Sequence, residues 1–260
     1  MRDFHFYDTK HLGDCVFDIH FLRNLITCNP DIRVFYYFFV SRYAKELKKH
    51  IVGFETKIIL NRVNKCPSSA TCLWHASKPL LSGVIKNGRR RVFCLNDRYY
   101  EFYSLVCDSL NLNNPFSDKN GLLLNNESII DPIPDFTEEC DLLLINSIAL
   151  SRQYFEKPNS FENFVLSLKD RYKIVCAKEL RGIPCTLDYN MNLLQIGHLA
   201  TKAKYVVGIA TSPIIPAFNV WSIATVKKWA VLSNRSTYTY KNNIHRFIDI
   251  SKIPLKFFDE

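Results

Sequence analysis

FHFYDTKHLGDCVFDIHFLRNL, residues 4–25, decides how the chain is read. Phe4 and Phe6 alternate with their neighbours as in a strand, and Phe17, Phe21, Leu22 and Leu25 recur at helical spacing. Between the two lies His11-Leu12-Gly13-Asp14, where Gly13 gives the chain freedom to turn and Asp14 stands where a helix should begin. Strand, glycine turn and helix start is the arrangement by which α/β proteins hold reactive groups at the carboxyl ends of their strands. The helix start adds unpaired N–H groups and the positive end of a dipole. An Asp at this place is also an ordinary N-cap, so the functional reading needs a second stretch elsewhere in the chain.

The bulk composition bounds the class. The chain has 260 residues, room for two α/β halves of roughly 120 residues each. Hydrophobic residues make up 47%, enough for a core, and eight glycines are too few for a low-complexity protein. The net charge of +9 suits an anionic partner: nucleic acid, anionic lipid or a phosphorylated small molecule. Lys and Arg are scattered apart from Arg89, Arg90 and Arg91, which argues against a nucleic-acid groove. Nine cysteines occur without a C-x-x-C pair or a Cys/His cluster, the pattern of reduced cytosolic thiols rather than disulfides or a zinc site. No apolar run reaches membrane-spanning length and the start lacks a secretory h-region, so the expectation is a soluble cytoplasmic protein whose basic charge allows peripheral contact with a membrane.

Along the chain, Ile32 to Val40 (IRVFYYFFV) reads as a buried parallel strand, followed by a helix from Ser41 to about His50 and strands near Lys57–Leu60 and Ala70–Trp74. Arg98 to Leu110 has helical spacing through Tyr99, Phe102, Val106 and Leu110. The segment 130–136 (IDPIPDF) forces an extended path, and the boundary between halves is placed there, giving 1–133 and 134–260. The second half restarts the same grammar. DLLLI (141–145) is a strand ending in Asn146-Ser147, Phe161 to Arg171 a helix, and KIVCA (173–177) a strand ending in Lys178-Glu179. Met191 to Ala203 is a helix, YVVGI (205–209) a strand, Trp229 to Leu232 one more strand, and Phe247 to Phe258 a tail that packs back. The predicted fold is α/β, two tandem Rossmann-like halves with parallel sheets.

The second informative stretch is LLQIGHLATKAKYVVGIATSP, residues 193–213. Its strand exit carries Gly208, Thr211, Ser212 and Pro213 into an apolar helix start. Pro suits a first helical turn, and hydroxyls beside exposed N–H groups make a ready anion site. A plain Ser cap is the alternative.

This stretch resembles the donor-binding segment of GT-B glycosyltransferases, and most of all the heptosyltransferase-like group (glycosyltransferase family 9-like), whose segment runs A-K-x-V-V-G-x-D-T-G-P. Here the chain has AKYVVG at 203–208 and TSP at 211–213. Those enzymes also begin with a strand, then G-D and an apolar helix, as Gly13-Asp14 does. Ala210 replaces the usual Asp and Ser212 the usual Gly; Ile214 follows Pro213, the usual His of that turn is missing, and His20 stands near a family Pro.

The resemblance implies two halves facing across a cleft, a nucleotide sugar held by the second half, and a glycan or glycolipid acceptor on the first. Asp14 would be the general base of an inverting transfer, with His11 assisting. Gly13, Ser147, Lys178, Glu179, Gly208, Thr211, Ser212 and Pro213 would surround the donor nucleotide. Arg89, Arg90 and Arg91 would hold an anionic acceptor or a lipid surface, with Arg152 and Arg181 as weaker phosphate partners. The resemblance implies that no metal is needed, because helix dipole, backbone amides and basic side chains would stabilise the leaving diphosphate; the absence of an Asp-x-Asp at a strand end agrees with this, and no nucleic acid is expected. Two other readings remain open: another nucleotide- or S-adenosylmethionine-binding α/β enzyme, which would want a G-x-G turn where Gly13 stands alone, and a non-catalytic protein binding through its basic surface.

Overall fold

A computed structural model describes residues 1–8, 11–73, 95–133, 136–137, 139–147, 154–234, 238 and 240–259. Arg89, Arg90, Arg91 and Arg152 therefore lie outside the described residues, as does Trp74, the expected end of the fourth strand. The chain divides into two compact units, Met1–Leu123 and Leu124–Glu260. The division falls before the 130–136 segment, because 124–133 is tied to the second unit. Leu124 N–H donates to Phe218 O at 3.3 Å, Val220 N–H donates to Leu124 O at 3.1 Å, and His198 Nδ1 lies 2.9 Å from Ile129 O.

The first unit holds a parallel sheet of β1 (Arg2–Asp8), β2 (Ile32–Phe38), β3 (Ile58–Arg62) and β4 (Thr71–Cys72), in the order β3-β2-β1-β4. The helices described with it are α1 (Leu12–Cys28), α2 (Ala44–His50) and α3 (Leu95–Leu110). β2 differs from its expected two-sided burial. Ile32, Val34, Tyr36 and Phe38 are buried on one face, whereas Arg33, Phe35 and Tyr37 are only half-buried on the other. On that second face His5 stacks on Phe35, with ring centroids 4.9 Å apart, and Arg33 pairs with Asp3 at 2.7 Å. The buried face meets α1 and α3, whose rings interleave: Phe17 lies 4.4 Å from Tyr99 and Phe21 stacks on Tyr103 at 4.2 Å.

The second unit holds a parallel sheet of β5 (Leu142–Ile145), β6 (Ile174–Cys176), β7 (Tyr205–Ile209), β8 (Lys228–Leu232) and β9 (Ile244–Phe247), ordered β6-β5-β7-β8-β9. β5 and β7 are buried along their whole lengths, as a strand covered on both faces requires. The helices are α4 (Ser160–Leu166), α5 (Leu193–Lys202), α6 (Ile214–Ala217) and α7 (Ser222–Thr225). α5 opens on a complete capping box: Gln195 N–H donates to Asn192 Oδ1 at 3.1 Å and Asn192 N–H to Gln195 Oε1 at 2.9 Å. The tail returns to its own unit, where Phe258 is buried against Phe164 and Tyr205 and its carbonyl accepts the Tyr205 hydroxyl at 2.8 Å.

Two local outcomes depart from the sequence reading. β9 was not foreseen, since His245 and Arg246 break any apolar pattern in an edge strand. The apolar helix expected after Pro213 is one turn long. Pro216 lies inside it and offers no N–H. Buried Asn219 then takes over: its Nδ2 donates to Pro216 O at 2.8 Å and Gly197 O at 3.2 Å, while its Oδ1 accepts Ser222 N–H at 2.8 Å. α5 approaches this turn so closely that a Cβ on Gly197 would sit 2.7 Å from Pro216 O. Because that oxygen is backbone, Gly197→Ala forces the helix away, and urea unfolding is expected to show a loss of about 1–3 kcal/mol; an unchanged midpoint would contradict the packing described.

Candidate functional site

In an open parallel sheet, ligands bind beyond the carboxyl ends of the strands, where connections leave a strand and its neighbour in opposite directions. In the first sheet the chain goes from β1 to β2 on one side and later to β4 on the other, so that point lies at the end of β1. In the second sheet it lies between β5 and β7, since β5 leads out to β6 and the chain returns to β7 on the opposite side.

At the first point the chain enters α1. His11 is the N-cap, with φ −83° and ψ 163°, and it is exposed. Asp14 is thus the third helical residue rather than the cap, and Gly13 lies within the first turn rather than supplying a turn before it. A carboxylate at that third position has two natural partners, the cap's backbone N–H and the dipole. The half-buried Asp14 accepts His11 N–H at 3.1 Å on Oδ2, and on Oδ1 it accepts the Tyr99 hydroxyl from α3.

One turn further along α1 lies an acid that the sequence reading passed over. Asp18 is fully buried and accepts two tyrosine hydroxyls, Tyr36 on Oδ2 and Tyr103 on Oδ1, each at 2.8 Å. Buried Asp8, at the end of β1, lies near enough to act on it. Two buried carboxyl groups side by side resist ionising together. Burial, and then the neighbouring Asp8, push the Asp18 carboxyl well above the ordinary carboxylate range, against the two tyrosine donors. His20 lies deeper in the same helix as a packing residue. Burial lowers its pKa to about 4, and its Nε2 lies 2.9 Å from Gly121 O.

At the second point two of the expected residues meet. Ser147 leaves β5, Thr211 leaves β7, and their hydroxyl oxygens lie 2.6 Å apart. Buried Asn146 ties the neighbouring exit to them: its Oδ1 accepts Lys178 N–H at 2.7 Å and its Nδ2 donates to Lys178 O at 2.9 Å. Lys178 and Glu179 are exposed beside this clasp. Asn146 was named in the sequence only as a strand end; a polar residue closing an apolar run was its one signal.

Other expected residues contribute differently. Gly208 is buried in β7, where a Cβ would meet Ile214 and Ile145 at 2.9 and 3.0 Å, so it lets the following turn settle on the sheet. Ser212 and Pro213 are half-buried at that turn. The turn is not the strong dipole site expected of a long helix: α6 has four residues, and the N–H groups of Ile214 and Ile215 are bonded to Thr211 O and Ser212 O. Hydroxyls and Lys178 carry the polarity there. A cavity of about 660 Å³ lined in part by Asp141, His198, Lys202 and Lys204 lies at the opposite, amino ends of the strands, since Asp141 and Lys204 immediately precede β5 and β7.

No protein-family model matches the sequence, and no curated protein matches it. Among solved structures the whole chain superposes on the E. coli heptosyltransferase WaaC with ADP, at a TM-score of 0.55 and 12% identity over 96% of that chain. It matches the E. coli ADP-heptose LPS heptosyltransferase II at 0.54 and 9%, covering 99% of this chain and 96% of the other. The family 9 glycosyl transferase of Veillonella parvula matches at 0.51 and 12%, over 95% and 85%. The fold is therefore that of the GT-B-like glycosyltransferases, with two parallel-sheet α/β halves. Among the described residues no helix is long and apolar enough to cross a membrane.

The Asp8–Asp18 pair carries a pH signature. In the unfolded chain Asp18 ionises near 3.8, whereas in the folded chain it keeps its proton to higher pH. Above that value the unfolded state releases a proton that the folded state holds, so the contribution to stability falls as pH rises. Unfolding of the wild type and Asp18→Asn, compared from pH 4 to 7, is expected to show the wild type losing ground steadily; a constant difference would mean that Asp18 is ionised in the fold.

Proposed function

We propose that this protein is an inverting, metal-independent glycosyltransferase that moves a sugar from a nucleotide-sugar donor to a hydroxyl of a glycan or glycolipid acceptor. The observation that carries the reading is placement. The two stretches that match the glycosyltransferase pattern each fall at the switch point of their own sheet, and the second joins Ser147 to Thr211 by a 2.6 Å hydroxyl contact. The structural neighbours include one with ADP and one with ADP-2-deoxy-2-fluoro heptose, which supports a nucleotide sugar as the ligand class.

In this mechanism Asp14 takes the proton of the acceptor hydroxyl as its oxygen attacks the anomeric carbon. The bond from that carbon to the diphosphate oxygen breaks, its electron pair goes to the leaving nucleoside diphosphate, and the configuration inverts. The Ser147 and Thr211 hydroxyls and the Lys178 ammonium meet the charge that develops on the diphosphate. Glu179, exposed beside Lys178, accepts from the ribose or base. Ser212 and Pro213 shape the turn that holds the phosphate, Gly208 lets that turn lie close to the sheet, and Gly13 leaves the first turn of α1 open to the donor. His11 helps to seat the acceptor. Arg89, Arg90 and Arg91 meet an anionic acceptor or the membrane that carries it, in keeping with the net charge of +9.

Calorimetry with ADP, UDP, GDP and S-adenosylmethionine tests the ligand class: one of the diphosphates is expected to bind, and Thr211→Val to weaken it about tenfold. Binding of S-adenosylmethionine alone would replace this reading by the methyltransferase one. With the donor identified, Asp14→Asn is expected to lower kcat by about a hundredfold or more while nucleotide affinity stays within about twofold. Near-normal transfer by a folded Asp14→Asn protein would remove Asp14 as the base.

A further inference from the structure

α1 and α3 are joined by two matching contacts. Asp14 and Asp18 stand one helical turn apart on α1, and Tyr99 and Tyr103 one turn apart on α3. Tyr99 donates to Asp14 and Tyr103 donates to Asp18. The rungs differ in what they hold. The inner one is closed on a buried acid with a second tyrosine, Tyr36, behind it. The outer one ends on Asp14, which is half-buried.

We infer that Tyr99 is a positioning residue for Asp14, fixing the direction of the carboxylate and holding it ionised. This rests on the reading of Asp14 as the base. Tyr99 is suited to the task because it is almost wholly buried, packs on Phe17 at 4.4 Å between ring centroids, and keeps little rotamer freedom. Its hydroxyl occupies Oδ1 while His11 N–H occupies Oδ2, so the carboxylate plane is set from both sides. Both donors favour the charged form, as does the helix start. Among the described residues the titratable groups near Asp14 include His11, Cys15 and Asp18 on its own helix and Tyr99 and Tyr103 on α3, with Asp8 of β1 acting on Cys15 and Asp18. The acids among them would oppose its ionisation, but the Asp8–Asp18 pair retains a proton and so presents less charge than two free carboxylates.

The test compares Tyr99→Phe with Tyr103→Phe, each of which removes one hydroxyl from the same helix. The readouts are the acid limb of the pH–rate profile for hydrolysis of UDP-glucose, GDP-mannose or ADP-glucose, whichever the wild type turns over, and the carboxyl carbon resonance of Asp14 in an NMR pH titration, assigned with Asp14→Asn. In Tyr99→Phe both midpoints are expected to rise by about one pH unit, so that the rate on the acid limb falls up to about tenfold. In Tyr103→Phe they are expected to stay put. An unmoved midpoint in Tyr99→Phe, or equal shifts in the two variants, would overturn the assignment. If the wild type turns over none of the three sugars, the base reading loses its support, and the NMR titration still decides whether Tyr99 holds Asp14.

Discussion

A parallel sheet cannot join neighbouring strands by tight turns. Each connection must cross a face, and at a switch point two neighbouring strands send their connections to opposite sides. Above their carboxyl ends the two connections diverge, and the backbone cannot fill the gap they leave. Each half of this chain has such a point, at the end of β1 in the first and between β5 and β7 in the second. Apolar burial fixes the strands, topology fixes the gap, and the residues that happen to leave the strand ends become the chemistry.

Once the gap exists, the surrounding packing has to keep polar groups aimed into it. The first half does this with tyrosines reaching acids on α1, where ring burial and hydroxyl hydrogen bonds act together. Tyr36, Tyr99 and Tyr103 are all nearly or fully buried, so their hydroxyls must find acceptors. Asp14 and Asp18 are those acceptors. Retaining a proton between Asp8 and Asp18 avoids burying two charges side by side. The second half uses amides instead: Asn146 spans the exits of β5 and β6, and Asn219 donates to the carbonyls of Pro216 and Gly197 where α6 ends.

Much of this was legible in the sequence because the central strands are apolar runs bounded by polar exits, as in 32–40, 141–145 and 205–209. The motif residues His11 to Asp14 and Thr211 to Pro213 could be placed at strand ends for the same reason. β9 could not be read, since an edge strand needs no apolar alternation and its middle is His245-Arg246. The length of α6 could have been read, because Pro216 stands in plain view two residues past its start. Asp18 looks like a solvated position until Tyr36 and Tyr103 arrive from distant parts of the chain. Its one signal was pairwise: Asp14 and Asp18 four apart on one helix and Tyr99 and Tyr103 four apart on another.

The central claim of the proposed function is that the divergence points of the two sheets, rather than the cavity at the amino ends of β5 and β7, receive the substrate. Hydrogen exchange of the full chain with and without a saturating nucleoside diphosphate tests it most directly. The account expects slower exchange at 146–147, 178–179 and 210–213, with the amides around Asp141 and Lys204 unchanged. Protection confined to Asp141, Lys202 and Lys204 would contradict it.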